Sequence, residues 1–306
     1  MDKIKVWFDT DTGIDDGMAL LLLCHLDVYD VKGISAVAGN STIENTFRNA
    51  RDVVSLAKRE DIKVFRGSDK PLEKKLLIAP EIHGENGIGG AILEPSKAPV
   101  ETMDAIDALY QCALANKGEL VVMAVGPLTN IAKTILKYPD FKDLVKEFAI
   151  MGGAIVGGNR TPYAEYNIYA DPLAAKIVFA TNVKLNMFGL DVTAKALISR
   201  EETESLGRDN PVGKYINESV YNLMELMDSR GYGYVEAMHD SCPVMYYAYP
   251  DLFKLENYPL IVIDENGDKE GKTAIDQENG NPNCYAAMKV DKDRMVKLSL
   301  DIYRSI

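Results

Sequence analysis

Long apolar runs, basic blocks and paired cysteines are what this 306-residue chain has least of. No hydrophobic stretch approaches the roughly 20 residues that a membrane-spanning helix needs. The segment Asp2-Lys3-Ile4-Lys5-Val6 lacks the apolar centre and small-residue cleavage site of a secretory leader. A cytoplasmic protein with no membrane partner is the expectation. The four cysteines, Cys24, Cys112, Cys242 and Cys284, form no C-x-x-C pair, so no zinc site is indicated and reduced buried thiols fit the same compartment. No consecutive run of Lys or Arg stands out, and 34 basic against 46 acidic side chains leave a formal charge of −12. That balance argues against nucleic acid and anionic membranes, and suits a small neutral or cationic ligand. Neither G-x-G-x-x-G nor Walker spacing occurs, the turn Asp264-Glu265-Asn266-Gly267-Asp268 lacks the EF-hand pattern, and no internal repeat is found.

What the chain does have is Asp9-Thr10-Asp11-Thr12-Gly13-Ile14-Asp15-Asp16, four carboxylates in eight residues between two apolar segments. Ile4, Val6, Trp7 and Phe8 read as a buried strand, and Met18 to Cys24 as a buried helix. The acids therefore fall where a parallel strand ends, the edge at which open α/β sheets bind ligands. Asp15 or Asp16 could simply cap the helix, with Asp9 and Asp11 solvated in the turn. Four carboxylates that close, however, raise one another's pKa and repel, and a bound cation relieves both effects.

Strand and helix patterns alternate along the rest of the chain. Strands are expected over 31–38, 63–65, 119–125, 148–151, 185–188 and 285–290. Helices are expected over 43–59, 102–115, 130–138, 212–227, 242–249 and 291–306, with Asp171-Pro172 marking a further helix start. Residues 260–263 and 273–275 suggest a hairpin. The Pro- and Gly-rich stretch from Gly67 to Pro99 reads as a long loop carrying His83, either a mobile residue that closes on a ligand or an incidental surface histidine. The fold class is α/β. A single domain over 1–306 is expected, built on a mostly parallel Rossmann-like sheet flanked by helices, with extra C-terminal helices and a β-hairpin.

The acidic stretch resembles the N-terminal signature of the inosine-uridine nucleoside hydrolases, D-T-D-x-G-x-D-D. Val37-Ala38-Gly39-Asn40, Ile82-His83-Gly84-Glu85, Gly126-Pro127-Leu128-Thr129-Asn130, Met151-Gly152-Gly153, Ala164-Glu165-Tyr166-Asn167, Asp171-Pro172 and His239-Asp240 resemble that family's later blocks, in its order. The resemblance implies a Ca²⁺-dependent ribonucleoside N-ribohydrolase of purine or pyrimidine salvage, acting as a homodimer or homotetramer. It makes Asp11 the base that activates water and a calcium ligand, with Asp16, Asp240 and the Thr129 carbonyl completing the protein ligands. Asp15, Asn40 and Asn167 would hold the ribose hydroxyls, Asn159 and Glu165 the 5′-hydroxyl, with Met151 also lining the substrate. His239, with His83, would serve the leaving base. Tyr221, Tyr232 and Tyr234 are candidates for stacking on that base.

Two positions depart from the family's pattern: Thr12 stands where Pro is usual, and Ser241 follows Asp240 where Pro or Ala is more common. Neither removes a ligand. Two rival readings stand beside this one. D-x-D-x-T-G after a strand also resembles the first motif of haloacid-dehalogenase-type phosphatases, which would make Asp9 a nucleophile and Mg²⁺ the cofactor, but no later lysine and acidic-pair motif accompanies it. A non-catalytic ribose- or Ca²⁺-binding module is the other.

Overall fold

The computed structural model describes residues 2–278 and 280–306. Its strands are β1 (Ile4–Thr10), β2 (Tyr29–Ala36), β3 (Val64–Arg66), β4 (Leu120–Ala124), β5 (Val145–Met151) and β6 (Lys184–Phe188). The second half adds β7 (Leu197–Ser199), β8 (Val235–Ala237), β9 (Phe253–Tyr258), β10 (Leu260–Val262), β11 (Thr273–Ile275) and β12 (Cys284–Val290). Eight of them form one sheet in the order β3-β2-β1-β4-β5-β6-β12-β9. Every neighbouring pair is parallel except β12 with β9.

The side-chain period of two explains why this sheet is covered on both faces. Val6 and Phe8 of β1, with Val121 and Met123 of β4, enter one core; Trp7, Leu120, Val122 and Ala124 enter the other. Trp7 stacks on Phe65 with ring centres 5.4 Å apart. The helix Ile14–His25 is buried from Ile14 to Cys24, because helices from the second half of the chain wrap it; the Tyr303 hydroxyl of the last helix donates to the Met18 carbonyl at 3.2 Å. The chain runs outward from β1 through β2 and β3, and the other way from β4 through β5 and β6. The order reverses between β1 and β4, so the crevice at their carboxyl ends is the place where a ligand site belongs.

The strand and helix expectations hold in type, with moved ends. The helix over 43–59 stops at Leu56, β5 begins three residues earlier than expected, and Asp104 caps a helix that starts at Ala105. The hairpin is present as β10–β11, apart from the main sheet. Features not read from the sequence include the antiparallel edge strand β9, the short ribbon β7–β8, the helix Pro80–His83 inside the expected loop, and the short helices Phe141–Leu144, Tyr166–Ala170, Leu190–Thr193 and Arg200–Glu204. The ribbon strands are three residues each, too short to show a period. All four cysteines are free thiols, and Cys24, Cys242 and Cys284 are buried. Among the described residues no helix is long and apolar enough to cross a membrane.

Gly33 of β2 faces the indole of Trp7, where a Cβ would lie 2.5 Å from the ring. Gly33→Ala should cost about 1–3 kcal/mol by overpacking, seen as a lower thermal midpoint and a shifted emission from this sole tryptophan. An unchanged midpoint would mean that the ring gives way freely.

Candidate active site

Asp9 and Thr10 end β1, and the acids that follow form two layers. Asp9 is the floor. It is fully buried, and its Oδ2 accepts hydrogen bonds from the Ser35 hydroxyl and from Asn130 Nδ2 (2.7 Å). Asn130 is itself held by the Ser68 N–H on its Oδ1 (2.8 Å). Burial pushes Asp9 up to about 7 despite these donors.

The upper layer holds Asp11, Asp15 and Asp16. Gly13 takes the N-cap position of Ile14–His25, so Asp15 and Asp16 sit in the first turn, where the helix dipole favours their charge and Asp16 accepts the N-cap N–H as in a capping box. Asp16 Oδ1 accepts from the Thr10 hydroxyl (2.6 Å), and its Oδ2 from the Gly13 N–H (2.8 Å) and Asn40 Nδ2 (3.0 Å). Asp11 Oδ2 accepts from the Asn40 N–H (2.7 Å), while its Oδ1 is buried with no protein partner. Asp240 arrives from the far end of the chain at the start of the helix Ser241–Ala248 and makes no side-chain cap bond there, so helix capping does not account for it.

Carboxylate oxygens of Asp15, Asp16 and Asp240 lie within 4.8 Å of one another, a group that could hold a metal ion. Asp15, expected on the ribose, is thus one of this trio. Asp11, expected among the ligands, lies outside it, although its charge acts on Asp240. Burial, with the charge of neighbouring carboxylates for Asp16, pushes Asp15 and Asp16 up to about 6. Burial first, and the neighbouring acids next, hold Asp11 and Asp240 well above the usual carboxylate range.

His83 is packed into the site as the last residue of the helix Pro80–His83, not carried on an open loop. Its Nδ1 accepts from the Ile14 N–H (3.2 Å), which puts the ring proton on Nε2. His239 is half-buried, with Nδ1 2.8 Å from the Thr193 hydroxyl. Burial lowers both rings to about 4, with the charge of His239 also acting on His83, so both are neutral hydrogen-bonding groups at pH 7.

Asn167 Nδ2 donates to the carbonyls of Val125 (2.8 Å) and Met151 (3.2 Å), leaving its own carbonyl oxygen for a ligand. Glu165 is buried and accepts from the N–H groups of Asn167 (2.9 Å), Gly153 (2.9 Å) and Ile168 (3.1 Å). It caps the helix Tyr166–Ala170, and burial raises it to about 7. Asn159 is exposed, with its Oδ1 on the Tyr166 N–H (2.9 Å). Thr129 begins the helix Thr129–Lys137, its hydroxyl donating to Asp171 (2.7 Å). Asp171 also caps the helix at Pro172 as expected.

Tyr221 and Tyr234 lie against the guanidinium of Arg200, at 5.1 and 4.1 Å from the ring centres, and all three tyrosines are exposed, Tyr232 the most at 70%. Glu236 was missed. It is buried on β8, its carboxyl raised well above its usual range by burial and then by Asp15. A lone glutamate in a three-residue strand carries no sequence signal, and only the ribbon's position brings it to the acids.

The family described as inosine-uridine preferring nucleoside hydrolase matches residues 6–297. The chain belongs to this family. It is 36% identical over 301 residues to the pyrimidine-specific ribonucleoside hydrolase RihA of Salmonella newport, covering 96% of each chain. Among solved structures it resembles the plant nucleoside hydrolase PpNRh1 (TM-score 0.94, 29% identity, all of both chains). It also resembles the purine-preferring ribonucleoside hydrolase from Gardnerella vaginalis (TM-score 0.92, 28% identity, 98% of each chain). As a nucleoside hydrolase it is an enzyme acting on N-glycosyl compounds. Asp9 lies beneath these acids, fully buried with Oδ2 held by Ser35 and Asn130, and the family match gives no support to the phosphatase reading.

The donor set fits a hard divalent cation. Every candidate ligand is an oxygen, three carboxylates converge, and Asp11 Oδ1 is an orphaned acceptor. Two glycines make room for Asp11: a Cβ on Gly39 would lie 2.2 Å from its Oδ2, and one on Gly126 2.6 Å from its Oδ1. Gly126→Ala should therefore lower kcat by at least about tenfold by displacing this carboxylate, and near-normal turnover would show that the wall is soft.

The raised acids also set a pH dependence. Between about pH 4 and pH 7 the folded cation-free protein binds more protons at Asp9, Asp15 and Asp16 than the unfolded chain does. Its stability should fall as pH rises through that window, and a bound divalent cation should restore it near pH 7.5. Thermal midpoints in EDTA and in CaCl₂ at pH 5 and 7.5 check this; a midpoint in EDTA that rises with pH contradicts it.

Proposed function

We propose that this enzyme cleaves the N-glycosidic bond of ribonucleosides, giving ribose and free base, with Ca²⁺ as its cofactor. The observation that carries the reading is Asp11, fixed through Oδ2 by the Asn40 amide while its buried Oδ1 has no protein partner. Asp16, Asp240, Asp11 and the Thr129 carbonyl would hold the cation, with Asp15 close enough to share that duty. Calcium, when bound, supplies the positive charge that lets these acids ionise together and gives the ribose hydroxyls an anchor.

The chain's own groups account for the rest. Asp11 Oδ1 takes a proton from water as the water oxygen bonds to the anomeric carbon, the N-glycosidic electron pair leaves with the base, and the base is protonated from solvent while Asp11 returns its proton to solvent. Carboxylates around the sugar stabilise the oxocarbenium-like charge that develops between these events. Asp15, Asn40 and the Asn167 carbonyl orient the ribose hydroxyls, Asn159 and Glu165 lie toward the 5′ end, and Met151 lines the floor. Neutral His239, with His83, hydrogen-bonds the departing base, since rings held near 4 are not charged acids at neutral pH. Pyrimidine ribonucleosides are the favoured substrates in this reading, supported by the higher identity to a relative named for them than to the purine-preferring structure. Salvage in the cytoplasm, by a homodimer or homotetramer, belongs to the same proposal.

The test is ribose release from uridine, cytidine, inosine and their 2′-deoxy forms, with and without EDTA. Ribonucleosides should react, deoxy forms should not, and chelation should stop the reaction. Asp11→Ala should lower kcat by about a thousandfold while leaving the circular dichroism spectrum unchanged. Near-normal turnover by that variant would remove Asp11 from the mechanism.

A further inference from the structure

The peptide unit between Gly39 and Asn40, in the turn after β2, is gripped at both of its polar ends. Its N–H donates to Asp11 Oδ2 at 2.7 Å, and its C=O accepts from the Tyr166 hydroxyl at 2.9 Å. The same hydroxyl reaches the Leu77 carbonyl at 3.1 Å, so its single proton is shared between this turn and the segment 67–79. Burial, and next the charge of Asp11, raise the phenol above its ordinary range, which keeps it a donor.

Both partners of this contact are seated from other directions. Tyr166 opens the helix Tyr166–Ala170, and its own N–H donates to Asn159 Oδ1 at 2.9 Å. The Asn40 carbonyl accepts from the Ala79 N–H (3.0 Å), and the Asn40 side chain donates to Asp16 (3.0 Å). A peptide is a rigid plane, so fixing its carbonyl fixes the direction of its N–H. A donor on the carbonyl also polarises the amide and strengthens the hydrogen bond that its N–H makes. Asp11 Oδ1 has no protein partner, so the bond at Oδ2 sets which way this carboxylate turns.

We propose that Tyr166 is a positioning residue for Asp11, acting through the Gly39–Asn40 peptide. The proposal rests on the nucleoside hydrolase reading above, in which Asp11 Oδ1 takes the proton from water. Without the phenol O–H the peptide plane can rock, and Asp11 Oδ2 follows its donor. A tilt that carries Oδ1 away from the water slows the proton transfer while leaving substrate binding nearly as it was. The contact with Leu77 supplies the competing account, in which the hydroxyl only anchors the segment 67–79. Lys74 separates the two. Its Nζ donates to the Tyr169 carbonyl (2.9 Å), lies 3.6 Å from the Tyr169 ring centre and pairs with Glu270 (3.2 Å). Lys74 therefore ties the same segment to the same helix by bonds that do not involve the Gly39–Asn40 peptide.

The experiment compares the full-length enzyme with Tyr166→Phe and Lys74→Met. Ribose release from uridine is resolved into kcat and KM. Exchange of the Asn40 amide proton, without substrate, is followed by NMR in enzyme labelled with ¹⁵N-asparagine. For Tyr166→Phe, kcat should fall about tenfold with KM within about threefold, and the Asn40 amide should exchange about fivefold faster. Lys74→Met should stay within about twofold of the unmodified enzyme in all three readings. Equal effects of the two substitutions would make Tyr166 a loop anchor and overturn the proposal. An unchanged Asn40 exchange rate in Tyr166→Phe would overturn it too, as would a raised KM at constant kcat, which places the effect at the neighbouring Asn167. If the unmodified enzyme releases no ribose while the Asn40 amide still responds, the hydrolase reading fails, and the link from Tyr166 to catalysis fails with it.

Discussion

The mutual repulsion of carboxylates buried at the end of β1 and the start of the next helix is the constraint around which this edge of the sheet is arranged. Asp11, Asp15, Asp16 and Asp240 are nearly or fully buried, and each loses hydration that water would have supplied. The fold answers with donors that carry no charge: the amides of Gly13 and Asn40, the Thr10 hydroxyl and the Asn40 side chain. These offset part of the cost. What they leave is a site whose acids hold protons they would lose in water, and which becomes fully ionised only when positive charge enters. Stability near neutral pH and readiness for a cation are two sides of one electrostatic imbalance.

That imbalance is also why so much of the site was legible in the sequence. Helix capping and turn formation would use one or two acids after an apolar strand, not four in eight residues. The glycines that close in on them, Gly39 and Gly126, mark places where backbone must pass within contact of Asp11. The β1 and β4 patterns were clear because both faces of each are buried and the runs are long. The parts that stayed hidden share a different physics. β7 and β8 are three residues each, held by pairing to one another, and Glu236 reaches the acids only through that pairing. Arg200 meets Tyr221 and Tyr234 across separate elements, so nothing in the local sequence pairs these rings with a cation. His83 looked mobile because glycines surround it, yet the Ile14 N–H and burial hold it in place.

Capping raises a related difficulty. Glu165 and Asp240 stand at equivalent positions, each just before a short helix. Glu165 spends both oxygens on three amides, whereas Asp240 makes no cap bond and keeps its oxygens for the trio. Sequence patterns treat the two alike, since an acid before a helix is favourable in either case. Only the direction of the side chain separates structural duty from ligand duty. Glu165, tied to a helix start, also fixes where Asn167, two residues later, presents its carbonyl.

The site is unequally rigid. In the proposed reading its ribose side is made of strand ends and helix starts: Asp11 after β1, Asn40 after β2 and Asn167 at the start of the helix Tyr166–Ala170, Asp11 and Asn167 bonded to backbone groups. Beside it stands the β7–β8 ribbon, which lies outside the main sheet and brings Glu236 to the acids. Groups that must match the sugar to a fraction of an ångström belong on the first kind of support. Groups that accommodate different bases gain from the second, since a loop can change its tip without moving a carboxylate. Solved structures of a plant nucleoside hydrolase and of a purine-preferring one both superpose on this chain at TM-scores above 0.9 with under a third of residues identical. In the proposed reading the sheet edge would hold the sugar, and discrimination between bases would fall to residues that the sheet does not fix.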